Sequence, residues 1–267
     1  MKPRLSPPLL GLSALIATLA LPAQAITNAT PTTDFAAVGR GVQVAPDWVL
    51  TVYHYAFGVG DAYSNGYGSW VVAARYDAPG SGSFPANDLS LLRLVPDSHV
   101  APYLAVNGAA VPDGSFAPVD VTISSAANSG PARGYGTTTV SESLVMIDPD
   151  DTGPLAPVLA NWLVSWDAAV HVEGGDSGGG LFLGHVTDSS VLLGLSSGLF
   201  TDENSVPSGS GFVQPAAYRS WIDATMAADP FDTQAVDWVV VSVPEPAAGL
   251  LAAAGLVLLF LRCRRPA

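Results

Sequence analysis

Cysteine and positive charge are the two things this chain of 267 residues most lacks. Its one cysteine, Cys263, lies in the terminal tail, so no intramolecular disulfide can form and the fold must stand on packing. Lys2 is the only lysine. Of the ten basic residues, five (Lys2, Arg4, Arg262, Arg264 and Arg265) sit at the two ends, whereas Glu245 alone of the 23 acids does. The stretch between therefore sets five arginines against 22 acids. So little basic charge cannot neutralise a run of phosphates, which excludes a nucleic-acid partner. Charge is scarce altogether, at 12% against 49% hydrophobic residues, and that excludes a disordered chain. No repeat of fixed period is present, which excludes a solenoid or propeller.

The ends carry addresses. Lys2 and Arg4, the apolar run Leu9–Leu21 and the small-x-small string Ala23-Gln24-Ala25 read as a signal peptide over 1–25, with Ile26 as the first mature residue. At the other end Pro244-Glu245-Pro246 precedes an apolar run over 247–261 and the arginines 262, 264 and 265. That order predicts a short membrane span with a cytoplasmic basic end, leaving the body outside. Residues 243–267 resemble the PEP-CTERM sorting signals of Gram-negative bacteria. The resemblance implies signal peptidase and an exosortase-like membrane enzyme as partners, and delivery across the inner membrane to the cell surface.

Between the ends, short β-like runs (Val42–Val44, Trp48–Val52, Leu89–Val95, Val119–Ile123, Val191–Leu195) alternate with Pro-Asp, Asn-Gly, Pro-Gly and Asp-Gly turns. This punctuation predicts an all-β sandwich or barrel over 26–227. One helix is expected, from Pro215 to about Met226, with proline in its first turn and Tyr218, Trp221, Ile222 and Met226 at helical spacing. Residues 228–242 read as a linker with a short apolar patch.

Gly174-Gly175-Asp176-Ser177-Gly178-Gly179-Gly180 is the most informative string. A serine framed by glycines can present its hydroxyl on a tight turn while backbone N–H groups converge on a developing oxyanion; a plain flexible loop is the alternative. A serine nucleophile needs a base, and the base an orienting carboxylate. His54 ends an apolar strand, while His99 and His185 fall in turns. Asp88 opens the apolar run Leu89–Leu94, where a buried carboxylate demands a partner; a strand-initiating Asn87-Asp88 turn is the alternative.

Trp48–His54, Asn87–Leu94 and Gly175–Gly179 resemble, in order, the three catalytic motifs of chymotrypsin-like (trypsin-family) serine proteases. Gly134-Tyr135-Gly136 resembles the strand that opens that family's second barrel, and Gly211-Phe212-Val213 with Ser220-Trp221-Ile222 its closing strand and helix. The resemblance implies two antiparallel six-stranded β-barrels with a junction near 125–133 and a short C-terminal helix. It implies Ser177 as nucleophile, His54 as general base and Asp88 as its orienting carboxylate, with Gly175 and Ser177 N–H groups as the oxyanion hole. Ser196-Ser197-Gly198 is similar to the strand beside the substrate backbone, with a register open by one residue. The resemblance implies that His171, six before Ser177, lies at the floor of the primary pocket, where a shifted loop is the alternative. Ile26, freed by signal cleavage, would pair its amine with Asp176. The chain departs from the family at Val52-Tyr53-His54-Tyr55, where no cysteine follows the histidine, and at Gly180, where proline is usual.

No cofactor or metal is expected; the acidic string Asp148-Pro149-Asp150-Asp151 reads as a solvated turn, with calcium the alternative. The resemblance makes the chain a secreted serine endopeptidase that cuts protein or peptide substrates through an acyl-enzyme. The rival readings are an inactive binding module of the same fold at the cell surface or biofilm matrix, and a structural matrix protein.

Overall fold

The computed structural model describes residues 26–241, apart from 33, 83, 97–101, 126–132, 148–156, 186–190 and 231–233. The expected signal peptide, sorting signal and acidic string, and His99, lie outside the described residues.

After a short β1 (Thr30–Thr32), six strands form the first sheet: β2 (Val38–Gly39), β3 (Gly41–Ala45), β4 (Trp48–Thr51), β5 (Ala62–Ser64), β6 (Ser69–Asp77) and β7 (Ser90–Leu94). They run antiparallel in the order β2-β3-β4-β7-β6-β5. The sheet curls until its edges meet. Tyr63 of β5 donates its hydroxyl to the carbonyls of Ala37 and Gly41, at 3.3 and 3.1 Å. A Cβ on Gly39 would stand 2.1 Å from the Ser64 carbonyl oxygen, so only glycine permits this approach.

The second sheet contains β8 (Val106–Asn107), β9 (Gly114–Ser124), β10 (Arg133–Ile147), β11 (Val158–Ser165), β12 (Gly180–Leu183), β13 (Leu192–Thr201) and β14 (Pro207–Val213). Six of its strands close a ring, β12-β9-β10-β11-β14-β13, because β13 pairs again with β12. A closed barrel leaves no sheet edge to aggregate. A 3₁₀ turn at Pro215–Tyr218 leads into α1 (Arg219–Ala227), and β15 (Trp238–Val239) follows. The all-β architecture and the helix are as the sequence predicts.

Alternation along the strands sorts the core. Trp48 and Leu50 of β4 join a cluster that takes residues from both sheets and from α1, including Leu91, Trp162, Val213 and Ile222. Val49 between them turns into a separate first-barrel cluster with Tyr63, Trp70 and Leu92. The shared cluster is where the barrels pack on each other, so the ends of β4 and β7 come to lie against the second barrel.

Three expectations need correction. The passage between barrels falls after Leu94 and not near 125–133, because β9 already pairs along β10, from Tyr135↔Ser124 to Ser143↔Gly114. Gly134-Tyr135-Gly136 thus lies in the second strand of that barrel, not its opening one; Pro118 breaks the alternation that would have marked β9. The second sheet also exceeds six strands, since β1, β8 and β15 extend it to nine. Finally, 228–242 is not a plain linker. β15 pairs in parallel with β8, Trp238 opposite Val106, and Val236 is buried in the shared cluster. Gln234 exchanges two 2.9 Å hydrogen bonds with Asp47 of the first barrel. This strap ties both barrels.

Candidate active site

β4 and β7 are antiparallel neighbours with Thr51 opposite Ser90. His54 follows the end of one and Asp88 precedes the start of the other, so the ladder fixes their separation. Asn87 adopts φ 41°, a left-handed turn that asparagine tolerates, and it accepts a 2.9 Å hydrogen bond from the Tyr218 hydroxyl. Asp88 is fully buried. Its Oδ1 accepts the His54 backbone N–H at 2.8 Å, and its Oδ2 accepts His54 Nδ1–H at 2.8 Å and the Ser197 hydroxyl. A carboxylate can only accept, so Nδ1 holds the imidazole proton and Nε2 keeps its lone pair. His54 Nε2 lies 2.7 Å from Ser177 Oγ, which it can therefore receive as a donor.

The turn around His54 has no disulfide, and arginines brace it instead. Arg75 of β6 donates to the carbonyls of Tyr53 and Phe57, at 2.8 and 3.1 Å, on either side of the histidine. Arg40 lies over the Tyr55 ring, 4.7 Å from its centroid, and donates to the Tyr55 hydroxyl. Tyr55 also meets Phe57 edge-on, with ring centroids 4.8 Å apart. The aromatic residue after His54 thus holds the loop by packing and a cation–π contact.

The Ser177 loop is built differently. Gly175 (φ 109°) and Gly178 (φ 86°) take conformations closed to other residues at low cost, and a Cβ on Gly178 would also strike the Arg40 carbonyl at 2.7 Å. Gly178 N–H donates to Ser196 O at 2.9 Å, docking the turn on β13. Asp176, fully buried, accepts from Ser125 Oγ at 2.9 Å and from Glu173 N–H at 2.8 Å. Among the described residues no acceptor engages the N–H of Gly175 or of Ser177. Both donors therefore stay available.

Beside Ser177 opens a cleft of about 330 Å³ lined by His54, Phe84, Val172, Glu173, Gly174, Ser196, Ser197, Gly198 and Leu199. Ser196, Ser197 and Gly198 all border it, and Ser197 is the one that reaches Asp88. His171 does not. Its ring is 6% exposed and turned the other way, with Nε2 3.0 Å from Thr27 Oγ1 and Nδ1 2.9 Å from the Ala168 carbonyl. The shifted-loop alternative accounts for it: residues 168–171 grip Thr27 and Asn28, and the loop borders the cleft only from Val172 onward. Thr27 N–H donates to His171 O at 3.1 Å, and Ile26, wholly buried, pairs with Val172 in a single antiparallel bridge. This bridge lies four residues before Asp176. His185 is half-exposed and 3.8 Å from Asp120, remote from the cleft.

Phe84, Glu173 and Leu199 escaped the sequence reading. Phe84 had a signal: it is a lone aromatic in a Gly-Ser loop just ahead of Asp88. Among the described residues no group of three metal-ligating side chains converges, and no helix is long and apolar enough to cross a membrane.

No family model and no curated protein matches the chain. Among solved structures, human heparin binding protein is similar at 15% identity and a TM-score of 0.50, over 76% of this chain and 97% of that one. A protease from M. tuberculosis in its active form is 22% identical over 76% of this chain and 78% of its own, with a TM-score of 0.46. An inactive mutant form of the same protein gives 19% identity, 78% and 89% coverage and a TM-score of 0.47. The first likeness shows the fold, which is trypsin-like.

Proposed function

We propose that this chain is an exported serine endopeptidase. The observation that carries the proposal is the unbroken hydrogen-bond chain from buried Asp88 through His54 to Ser177. Ser177 Oγ attacks the peptide carbonyl carbon as its proton passes to His54 Nε2, and Asp88 stabilises the imidazolium. The oxyanion accepts the N–H groups of Gly175 and Ser177, each typically worth about 10²–10³ in rate. Collapse breaks the C–N bond while His54 returns the proton to the leaving amine. Water, deprotonated by the same histidine, then cleaves the acyl-enzyme. No step calls for a cofactor. Wild-type protein should degrade an unfolded protein substrate and Ser177→Ala should not; equal rates would end the reading.

Signal cleavage after Ala25 exposes the Ile26 amine, which pairs with Asp176 and orders the oxyanion loop. The buried Ile26–Val172 bridge supports this, since it puts the new terminus on the loop that carries the aspartate. The sorting signal over 243–267 brings the enzyme to the cell surface, and its removal should release active protein into the medium. N-terminal sequencing of the secreted form checks the first cut. The rival reading, an inactive binding module, has less behind it. Ligands such as the one human heparin binding protein is named for call for basic surface, and this chain has net charge −13.

A further inference from the structure

Thr27 and the Ser177 loop share a polar cluster that the mechanism leaves unused. Thr27 Oγ1 lies 3.0 Å from His171 Nε2 and donates its hydrogen to the Glu173 carboxylate. His171 Nδ1 lies 2.9 Å from the Ala168 carbonyl, and Glu173 Oε1 stands 4.0 Å from Nε2. The imidazole is buried, so bulk water does not make good a bond lost there. Glu173 is also the residue whose N–H holds Asp176 at 2.8 Å and whose carbonyl accepts Asp176 N–H at 3.1 Å. The cluster thus joins the segment at residue 27 to the turn that bears the nucleophile.

Counting protons fixes the charge that this cluster needs. The Ala168 carbonyl only accepts, so Nδ1 carries a hydrogen. An ionised Glu173 only accepts, so the single hydroxyl hydrogen of Thr27 goes to it. Thr27 Oγ1 then turns a lone pair to His171, and that contact is a hydrogen bond only if Nε2 carries a hydrogen as well. All three links coexist in the imidazolium and in no neutral tautomer. A neutral ring either takes the Thr27 hydrogen from Glu173 or faces an oxygen lone pair; one link is lost in both cases. The neighbouring carboxylates are engaged elsewhere. Asp167 caps the N–H groups of Ala169 and Val170 and accepts the Thr138 hydroxyl from β10, while Asp176 accepts from Ser125 and Glu173. β14 brings the neutral Ser210 hydroxyl, which accepts Val172 N–H at 3.0 Å.

We infer that His171 is a positioning residue for the Ser177 loop: as an imidazolium it locks Thr27 to Glu173, and with them the turn that aims the Gly175 and Ser177 N–H groups. The inference rests on the reading of Ser177 as nucleophile. It sets opposite demands on two histidines. His54 acts as a base only when neutral, whereas His171 completes the lock only when charged. The lock is whole in acid and loses a link as pH rises through the His171 titration, while the fraction of His54 able to take a proton grows with pH. Histidine ordinarily changes charge between about pH 5 and 8, so the two limbs overlap and activity peaks between them.

The test measures kcat on a peptide substrate across pH, with the chain as it is secreted. Wild type should lose roughly fivefold on the alkaline side of its optimum, the equivalent of one net hydrogen bond. Thr27→Val deletes the hydroxyl and keeps the shape, so it should run at the lower level and lack that limb. Thr27→Ser should restore it, and His171→Gln, which cannot take a charge, should lack it too. A chain-terminal amine ordinarily titrates near pH 8, so a loss caused by the Ile26 terminus comes later and survives in both variants. A limb that persists in Thr27→Val and His171→Gln overturns the lock and leaves the nucleophile standing. So does a variant that falls by one factor at every pH with the limb retained, since packing alone explains that. Amide hydrogen exchange on Ser177→Ala protein is the arm independent of catalysis. Corrected for intrinsic exchange, protection of the Glu173 and Asp176 N–H groups should fall roughly fivefold as pH rises through the histidine range, and stay level once Thr27→Val is added. Level protection without that second substitution defeats the lock, whereas a wild type that cleaves nothing at any pH defeats the protease reading.

Discussion

The two barrels contribute to the site in different ways. The first gives His54 and Asp88 from the ends of adjacent strands, their spacing set by the β4–β7 ladder and their loop pinned by Arg75 and Arg40. The second gives Ser177 from a loop with no regular structure, held by left-handed glycines, by the buried Asp176 carboxylate and by the bridge from Ile26 to Val172. On the proposed reading, acid–base geometry is thus fixed by backbone pairing, and nucleophile geometry by a few replaceable contacts. Damage to the first half should show as lost chemistry in a folded protein; damage to the second should show as a slack oxyanion site.

The largest effect expected short of removing the nucleophile is that of Asp88→Asn. An amide there donates as well as accepts and can hold the wrong imidazole tautomer, so kcat should fall on the order of 10⁴-fold with unchanged strand content by circular dichroism. Asp176→Ala comes next. It leaves the Ser125 hydroxyl and Glu173 N–H without this buried partner, and kcat should fall about 10²–10³-fold through the oxyanion donors. If instead Asp88→Asn and Asp176→Ala cost the same in kcat, the contrast between the halves is wrong. Arg75→Met probes the brace. It removes hydrogen bonds to Tyr53, Phe57 and Ser90, and should cost about 2 kcal/mol in denaturant unfolding. Its kcat should drop by less than that of either aspartate variant.

The smallest effect links the barrels through Tyr218. Burial pushes its hydroxyl above the ordinary value of 10.0, a hydrogen bond from Asn161 opposes that, and the Asp88 charge adds to it. The folded state needs the protonated phenol, which donates to Asn87 at 2.9 Å. Its contribution should be whole below about pH 10 and lost as pH rises toward and through the raised value. Tyr218→Phe should cost about 1 kcal/mol near neutrality and flatten the alkaline limb of the stability curve. A variant curve parallel to wild type above pH 10 would contradict this.

What the sequence disclosed follows the same division. The strand-borne residues were legible because alternation, Trp48 and Leu50 one way and Val49 the other, marks a strand and its end. His54 and Asp88 stand where those patterns stop. The Gly-Asp-Ser-Gly string announced the Ser177 loop but not its bracing. His171 went astray because six residues of loop carry no periodicity, and only the grip on Thr27 decides which way the ring faces. The strap was hidden for a related reason. β15 is two residues long, and its partner β8 lies more than 130 residues earlier, so local pattern cannot announce the pairing.

The most direct measurement treats the folded protein with a fluorophosphonate probe and maps the adduct by mass spectrometry. The account predicts a single modified residue, Ser177, with labelling abolished by Ser177→Ala and slowed sharply by His54→Ala. A folded wild type that takes no label, or takes it on another serine, would contradict the assignment of Asp88, His54 and Ser177 as one catalytic unit.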